Sequence, residues 1–415
     1  MSLFVQTSSY TNPFVTTALP VGAGDAFGRL RTSNPLTLFD SSHRYHDNGL
    51  WATSTATGGT STFDINAGLV NLAVTTSSGS EVIRETTKCC SYQPGKSLLV
   101  MSTFTLNPAK TGLRQRVGYY GAANGMYLEL ANNTLSFVER SSSTGSLVET
   151  RVSQSNWNTD PLNGDGPSNL ELDITKSQIL WMDIEWLGLG TVRMGFVING
   201  KFIHCHSFHH ANIITSTYIT TASLPLRYEI TNTAATASAS TLKQVCSTVL
   251  SEGGYELRGL QQAIGTTITA PYALTVAGTY YPVISLRLKA AALDAIVILT
   301  ALSILGATAN ANYNWRVMAN TTTTGGTWTS AGSESSVEYN LTGTATTGGR
   351  ILAQGYFSST NQSTASVDIL KEALFKFQLE RNGLTSTPYE LSLVVTASVA
   401  TSNVHASMDW EEISR

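Results

Sequence analysis

The chain has 415 residues, with 25 Lys+Arg against 28 Asp+Glu, a formal net charge of -3 and 42% hydrophobic residues. That balance excludes a phosphate-neutralising surface, and with it broad nucleic-acid binding; ordinary hydrophobicity at low net charge excludes a chain disordered throughout. Charged residues make up only 13%, about half the ~25% usual in soluble domains, and Ser and Thr, roughly a quarter of the chain, take their place.

Residues 1–50 follow neither the helical nor the strand period over any long stretch. Pro13, Pro20 and Pro35 punctuate them, and Phe4, Phe14, Phe27, Leu30 and Phe39 stand as isolated apolar anchors. Proline-broken extended chain with such anchors predicts an arm that orders by docking onto another surface. Its opening, Met1-Ser2-Leu3-Phe4, has no basic or apolar region of the secretory kind, so no signal peptide is expected.

From Trp51 to Glu256 the pattern is β throughout. In Ile179-Leu180-Trp181-Met182-Asp183-Ile184-Glu185-Trp186, Trp181, Asp183 and Glu185 share one face, with Leu180, Met182, Ile184 and Trp186 on the other. A turn at Leu187–Gly190, a strand over Thr191–Ile198, the hairpin pair Asn199-Gly200 and a strand over Lys201–Phe208 complete a three-stranded antiparallel meander. A second hairpin runs from Met126–Ala131 through Asn132-Asn133 to Thr134–Arg140. Short strands at this spacing predict a sandwich over residues 51–256.

Ser251-Glu252-Gly253-Gly254 marks a boundary. Beyond it, Tyr280–Lys289, Asp294–Leu305, Asn314–Ala319, Ser335–Leu341, Leu391–Val399 and His405–Ile413 read as strands, and Ile369–Glu380 has helical spacing. Residues 257–415 are therefore expected to form a second β-sandwich with one short helix. The most apolar window, Ala290–Gly306, carries Asp294 and is broken by Thr and Ser, so buried strands are expected there and no membrane insertion. Four cysteines, Cys89, Cys90, Cys205 and Cys246, are too few for a disulfide scaffold and read as reduced thiols.

Three constellations could carry chemistry. On a strand, His204 and His206 project to one face, and His209, His210 or a symmetry mate could add a ligand, which makes the group a candidate metal or symmetry-axis cluster. No Cys-x-x-Cys or carboxylate completes that set locally, so no metal or other cofactor is expected. Asp183 and Glu185 stand at alternating positions, as acid and nucleophile do in some sandwich glycosidases that carry Glu-x-Asp-x-Glu on one strand. Here Trp181 occupies the first Glu position, so a structural carboxylate pair is the better account. The Asx- and Gly-rich loop Asn156–Gly166 lacks the terminal Glu of a calcium loop and reads as turns. Phosphate-binding glycine motifs, the Gly-x-Ser-x-Gly elbow and His-Glu-x-x-His are all missing, so the chain is not expected to be an enzyme.

The stretch Asp25-Ala26-Phe27-Gly28-Arg29-Leu30-Arg31-Thr32-Ser33-Asn34-Pro35, closing on Leu38-Phe39-Asp40-Ser41, resembles the start of a group of uncharacterised virion structural proteins of tailed bacteriophages. Tyr92-Gln93-Pro94-Gly95-Lys96-Ser97, Gln115-Arg116-Val117-Gly118-Tyr119, Trp186–Gly190 and Leu226-Arg227-Tyr228-Glu229-Ile230 extend the resemblance to about residue 260. The central domain is also similar to lectin-like jelly rolls. The resemblance implies an all-β chain: an extended N-terminal arm followed by two antiparallel, jelly-roll-like sandwiches. It implies a structural component of the virion exterior, assembled in the bacterial cytoplasm through contacts with other virion proteins and copies of itself. Phe27, Arg29, Leu30, Arg31 and Phe39 are the candidate assembly contacts. A module binding host-surface glycan is the alternative, and a polysaccharide depolymerase the third.

Overall fold

The computed structural model describes residues 34–359, 365–366 and 376–414. Its first half contains β1 (Leu36–Ser41), β2 (Trp51–Ala56), β3 (Thr60–Asp64), β4 (Leu69–Val74), β5 (Glu81–Thr86), β6 (Leu98–Thr105), β7 (Leu113–Tyr120) and β8 (Gly125–Ala131). There follow β9 (Thr134–Ser141), β10 (Val148–Ser153), β11 (Ser177–Ile184), β12 (Val192–Ile198), β13 (Lys201–Phe208), β14 (Leu226–Asn232) and β15 (Ser240–Ser251). An eight-stranded sheet takes the order β13-β12-β11-β6-β15-β4-β3, with β1 also paired to β15. A seven-stranded sheet takes the order β10-β9-β8-β7-β14-β5-β2.

All these pairings are antiparallel, and the period of two sets which side chains meet between the sheets. Leu98, Val100 and Phe104 of β6 and Leu180 and Met182 of β11 come from the larger sheet. They join Val117, Tyr119, Leu128, Phe137 and Tyr228 of the smaller one in one buried core. Tyr119 shows how the core handles a polar tip: its hydroxyl donates to the Ala222 carbonyl at 2.8 Å and accepts from the Leu224 amide at 3.0 Å. The expected hairpins are present. Asn132 at φ 55° turns β8 into β9, and Asn199 at φ 54° with Gly200 at φ 72° turns β12 into β13, the positive-φ geometry that two-residue hairpins require.

Part of the expected arm belongs to this sandwich. β1 pairs with β15 from Leu36 opposite Ser251 to Ser41 opposite Ser247. Phe39 is buried in the core and meets Trp51 edge-to-face at 5.9 Å. Phe39 is therefore a core residue of its own chain, not an assembly contact: burying its ring here removes it from any neighbour. Phe27, Arg29, Leu30 and Arg31 lie outside the described residues.

Beyond Ser251 the strands form a second set. A five-stranded sheet takes the order Leu260–Gly265, Ser402–Ser414, Ile296–Gly306, Ala365–Ser366, with Tyr272–Leu274 also paired to Ser402–Ser414. A six-stranded sheet orders Thr329–Ser330, Val337–Asn340, Tyr281–Leu288, Glu390–Ala397, Asn312–Thr324 and Ala345–Ser358. Leu286, Leu299, Tyr313, Val317, Leu393, Met408 and Trp410 fill the space between them. The all-β, antiparallel sandwich expectation is met. Of the helix expected over Ile369–Glu380, residues 369–375 lie outside the described residues. Lys376 and Phe377 form a turn, and Gln378 bridges to Ile298 instead of continuing a helix.

That departure has a consequence, because the segment after the turn ties the two halves together. The Arg381 amide donates to the Thr87 carbonyl at 2.9 Å, and the Gln378 side chain donates to the Cys89 carbonyl at 2.9 Å. The Arg381 guanidinium is 3% exposed and forks between Glu85 of β5 and Asp294 of the second half. Thr87 donates its hydroxyl to Glu380 at 3.1 Å. Cys89, Ile296 and Ile298, with Leu257 and Ile413 against them, supply the apolar part of the junction.

Candidate functional site

The two sheets of the first sandwich each turn one face outward, and the two faces differ. On the seven-stranded sheet, alternation brings out Arg227 and Glu229 of β14, Arg114, Arg116 and Tyr120 of β7, and Tyr127 and Glu129 of β8. Arg140 of β9 and Glu149 and Arg151 of β10 continue the row. These side chains satisfy one another. The Arg116 Nε donates to Glu129 at 2.7 Å, Arg140 grips Glu149 at 2.6 Å, and Tyr127 donates its hydroxyl to Glu149 at 2.7 Å. Arg116 also lies 5.1 Å from the Tyr127 ring centre. Arg116, Glu129 and Glu229 are buried although no second sheet among the described residues covers them, because they pack on each other. Burial works against the Glu149 charge, yet hydrogen bonds from Tyr127, Arg140 and Arg151 outweigh it and hold the carboxyl down at about 2.

On the eight-stranded sheet the outward positions include Met101 and Thr103 of β6, Ile179, Trp181 and Asp183 of β11, Arg193 and Val197 of β12 and Phe202 of β13. Phe202 is 55% and Ile179 38% exposed. Trp181 lies beneath Phe202 and His204 and donates its indole N–H to the Ile203 carbonyl at 3.2 Å. Gly195, opposite Trp181, makes room for it: a Cβ there would overlap the Ile203 oxygen and crowd the indole nitrogen at 2.9 Å. Asp183 pairs with Arg193 directly across the ladder. With Glu185, Lys96, Ser97 and Thr191 they line a polar pocket of ≈ 250 Å³.

The histidine group does not converge. A bulge at Cys205 puts His204 opposite Gly195 but His206 opposite Met194, which reverses the alternation. His204 therefore faces outward beside Trp181, while His206 turns inward, stacks on Phe137 at 6.5 Å and accepts from the Asn158 amide at 3.2 Å. Burial, aided by His204 and His209, lowers His206 to about 4. His209 is exposed and sits 3.3 Å from the Thr191 hydroxyl. Among the described residues no three His, Cys, Asp or Glu side chains are grouped to hold a metal ion. His210, the other candidate third ligand, is the tightly held one: it stacks on Tyr218 at 3.9 Å and bonds Glu139 at 2.7 Å.

The Asn156–Gly166 loop is built on turns. Asp160 accepts the Leu162 amide at 2.9 Å and the Ser168 amide at 2.8 Å, and Asp165 donates its amide to Asn163. Asp183 and Glu185 do share the outward side as expected, but the strand ends at Ile184 and Arg193 engages Asp183. The Arg–Glu–Tyr row leaves only a scattered trace in the sequence, charges at period two in Arg114-x-Arg116, Glu149-x-Arg151 and Arg227-x-Glu229. Pairing across five strands was needed to connect it.

No family model and no curated protein matches the chain. Among solved structures it is similar to a protein of unknown function from Shewanella oneidensis MR-1, at 9% identity and a TM-score of 0.36, over 55% of this chain and 91% of that one. It is similar to a β-1,3-1,4-glucanase (lichenase) from a mouse hindgut metagenome, at 11% identity and a TM-score of 0.34, over 52% of this chain and 99% of that one. It is also similar to a carbohydrate esterase from the Shiga toxin-encoding bacteriophage phi24B, at 12% identity and a TM-score of 0.32, over 53% and 100%. Among the described residues no helix is long and apolar enough to cross a membrane.

Proposed function

We propose that the chain is a non-enzymatic structural protein of a tailed-phage particle. It is an exterior tail, neck, fibre or capsid-decoration component that contacts other virion proteins and copies of itself. The sequence resemblance supports this reading, and the Arg381 junction is the structural observation that carries it. A structural component has to pass load from one domain to the next. A buried, forked guanidinium with backbone bonds beside it resists bending where a flexible linker would yield. The test is the protein content of purified particles. The chain is expected there at a fixed copy number, and its absence from particles whose genome encodes it would overturn the reading.

A second reading, binding of host-surface glycan, is favoured by the polar pocket that Asp183, Glu185 and Arg193 line. Oligosaccharide binding that is lost in Asp183→Asn with the fold intact would support it.

A further inference from the structure

An apolar groove crosses the outward face of the eight-stranded sheet. Met101, Ile179, Val197, Phe202, Cys246 and Thr248 line it, Asp40 stands at its rim, and it encloses ≈ 500 Å³. It spans six strands, and Phe202 and Ile179 stand exposed in it beside the half-buried Met101 and Val197. On a chain this poor in charge, such a patch marks an interaction surface. We infer that the groove receives the N-terminal segment of a second copy of this chain, with Phe27 and Leu30 seated in it and Arg29 or Arg31 meeting Asp40. This inference rests on the structural-protein reading and names the surface that would link copies.

The direction of β1 argues for a second copy. β1 enters the sheet at Leu36 beside Ser251 and comes to the groove only at its other end, Asp40–Ser41. Asn34 and Pro35 therefore lie at the end of the sheet remote from the groove, where the Asn34 carbonyl lies against Gly254. Thirty-three residues precede the described chain. Extended, they reach up to ~110 Å, enough to cross to a neighbouring molecule. The segment's composition suits the groove: two apolar anchors, three residues apart, have Arg29 between them and Arg31 after them, and the groove offers apolar lining with one carboxylate at its rim.

Cys246 is a built-in reporter, because its thiol lines the groove while Cys89, Cys90 and Cys205 are buried. The experiment measures N-ethylmaleimide alkylation of Cys246 in the full-length chain, with solution mass by light scattering at two concentrations. The wild type is expected to be oligomeric and to react about tenfold more slowly than Phe27→Asp/Leu30→Asp, which is expected to be monomeric. That variant is then mixed with a full-length Phe202→Ser/Cys246→Ser chain, whose arm is intact and whose groove is spoiled. Protection of the first chain's Cys246 should return on mixing. Equal reactivity in wild type and arm variant would overturn the inference. So would a protected monomeric wild type with no rescue on mixing, which would place the segment in its own groove. Either failure with the chain still present in particles sinks this inference alone and leaves the structural reading standing.

Discussion

On the seven-stranded sheet of the first sandwich, outward arginines, glutamates and tyrosines bury one another. On the eight-stranded sheet the outward positions hold Met101, Ile179, Val197 and Phe202, with nothing from the described chain over them. The two sheets share one core and similar strand lengths, so the hydrophobic period alone does not distinguish them. What differs is how each satisfies its outer face. A closed ionic row leaves little for a partner to gain, since its charges are already paired and its arginine planes are stacked on tyrosines. An open apolar groove gains on every contact that removes it from water. Arg114, Arg116, Arg140, Arg151, Glu129, Glu149 and Glu229 of the closed face are thus spent on pairing with one another.

The largest effect should come from opening the closed face. Arg116→Ala removes the cation that Glu129 and Glu229 share, leaving Glu129 to Arg151 and Glu229 to Arg114 and Arg227, and urea unfolding should show a loss of ~1.5–3 kcal/mol. A loss below ~1 kcal/mol would mean the row is decorative. Next in size is Gly195→Ala on the open face. Its methyl would displace the Ile203 carbonyl and the Trp181 indole, and should cost ~1–3 kcal/mol with a change in tryptophan fluorescence.

Acid should act in two windows. His206 is lowered to about 4 from 6.5, so it stays neutral in the fold while the unfolded chain takes up a proton; stability is full above 6.5 and falls as pH drops toward 4. Glu149 is lowered to about 2 from 4.5, so its contribution is present above 4.5 and lost as pH falls toward 2. His206→Gln should shrink the upper window in pH-dependent melting, which His43 and His204, also lowered by burial, share, and leave the lower one unchanged. The smallest effect on folding is expected from Phe202→Ser, within ~0.5 kcal/mol because the ring is largely exposed. A larger loss would show that Phe202 supports the sheet itself and would blur the contrast between the faces.

The hairpins were legible because Asn199-Gly200 and Asn132-Asn133 specify turns locally, and the strands after Ser251 because alternation survives in Ile284, Leu286 and Leu288. The bulge at Cys205 was not, since nothing in Ile203-His204-Cys205-His206 announces an extra residue; one inserted position moved His206 from the outer face into the core. Pro35 and Asp40 mask the alternation of β1, and only its partner β15 makes it a strand. Helical spacing over Ile369–Glu380 failed at its described end, where the Gln378 bridge and Arg381 pairing override local propensity. Long-range ion pairs such as Arg381 with Glu85 leave no local trace at all.

The most direct test of this account is hydroxyl-radical footprinting of the chain in purified particles against the isolated chain held dilute and monomeric. Met101, Ile179 and Phe202 should become strongly protected in the particle, while the exposed Leu147 and Val148 beside the closed face keep their reactivity. Unchanged labelling of the groove, or protection at Leu147 and Val148 instead, would contradict the assignment of the eight-stranded face as the surface through which the protein assembles.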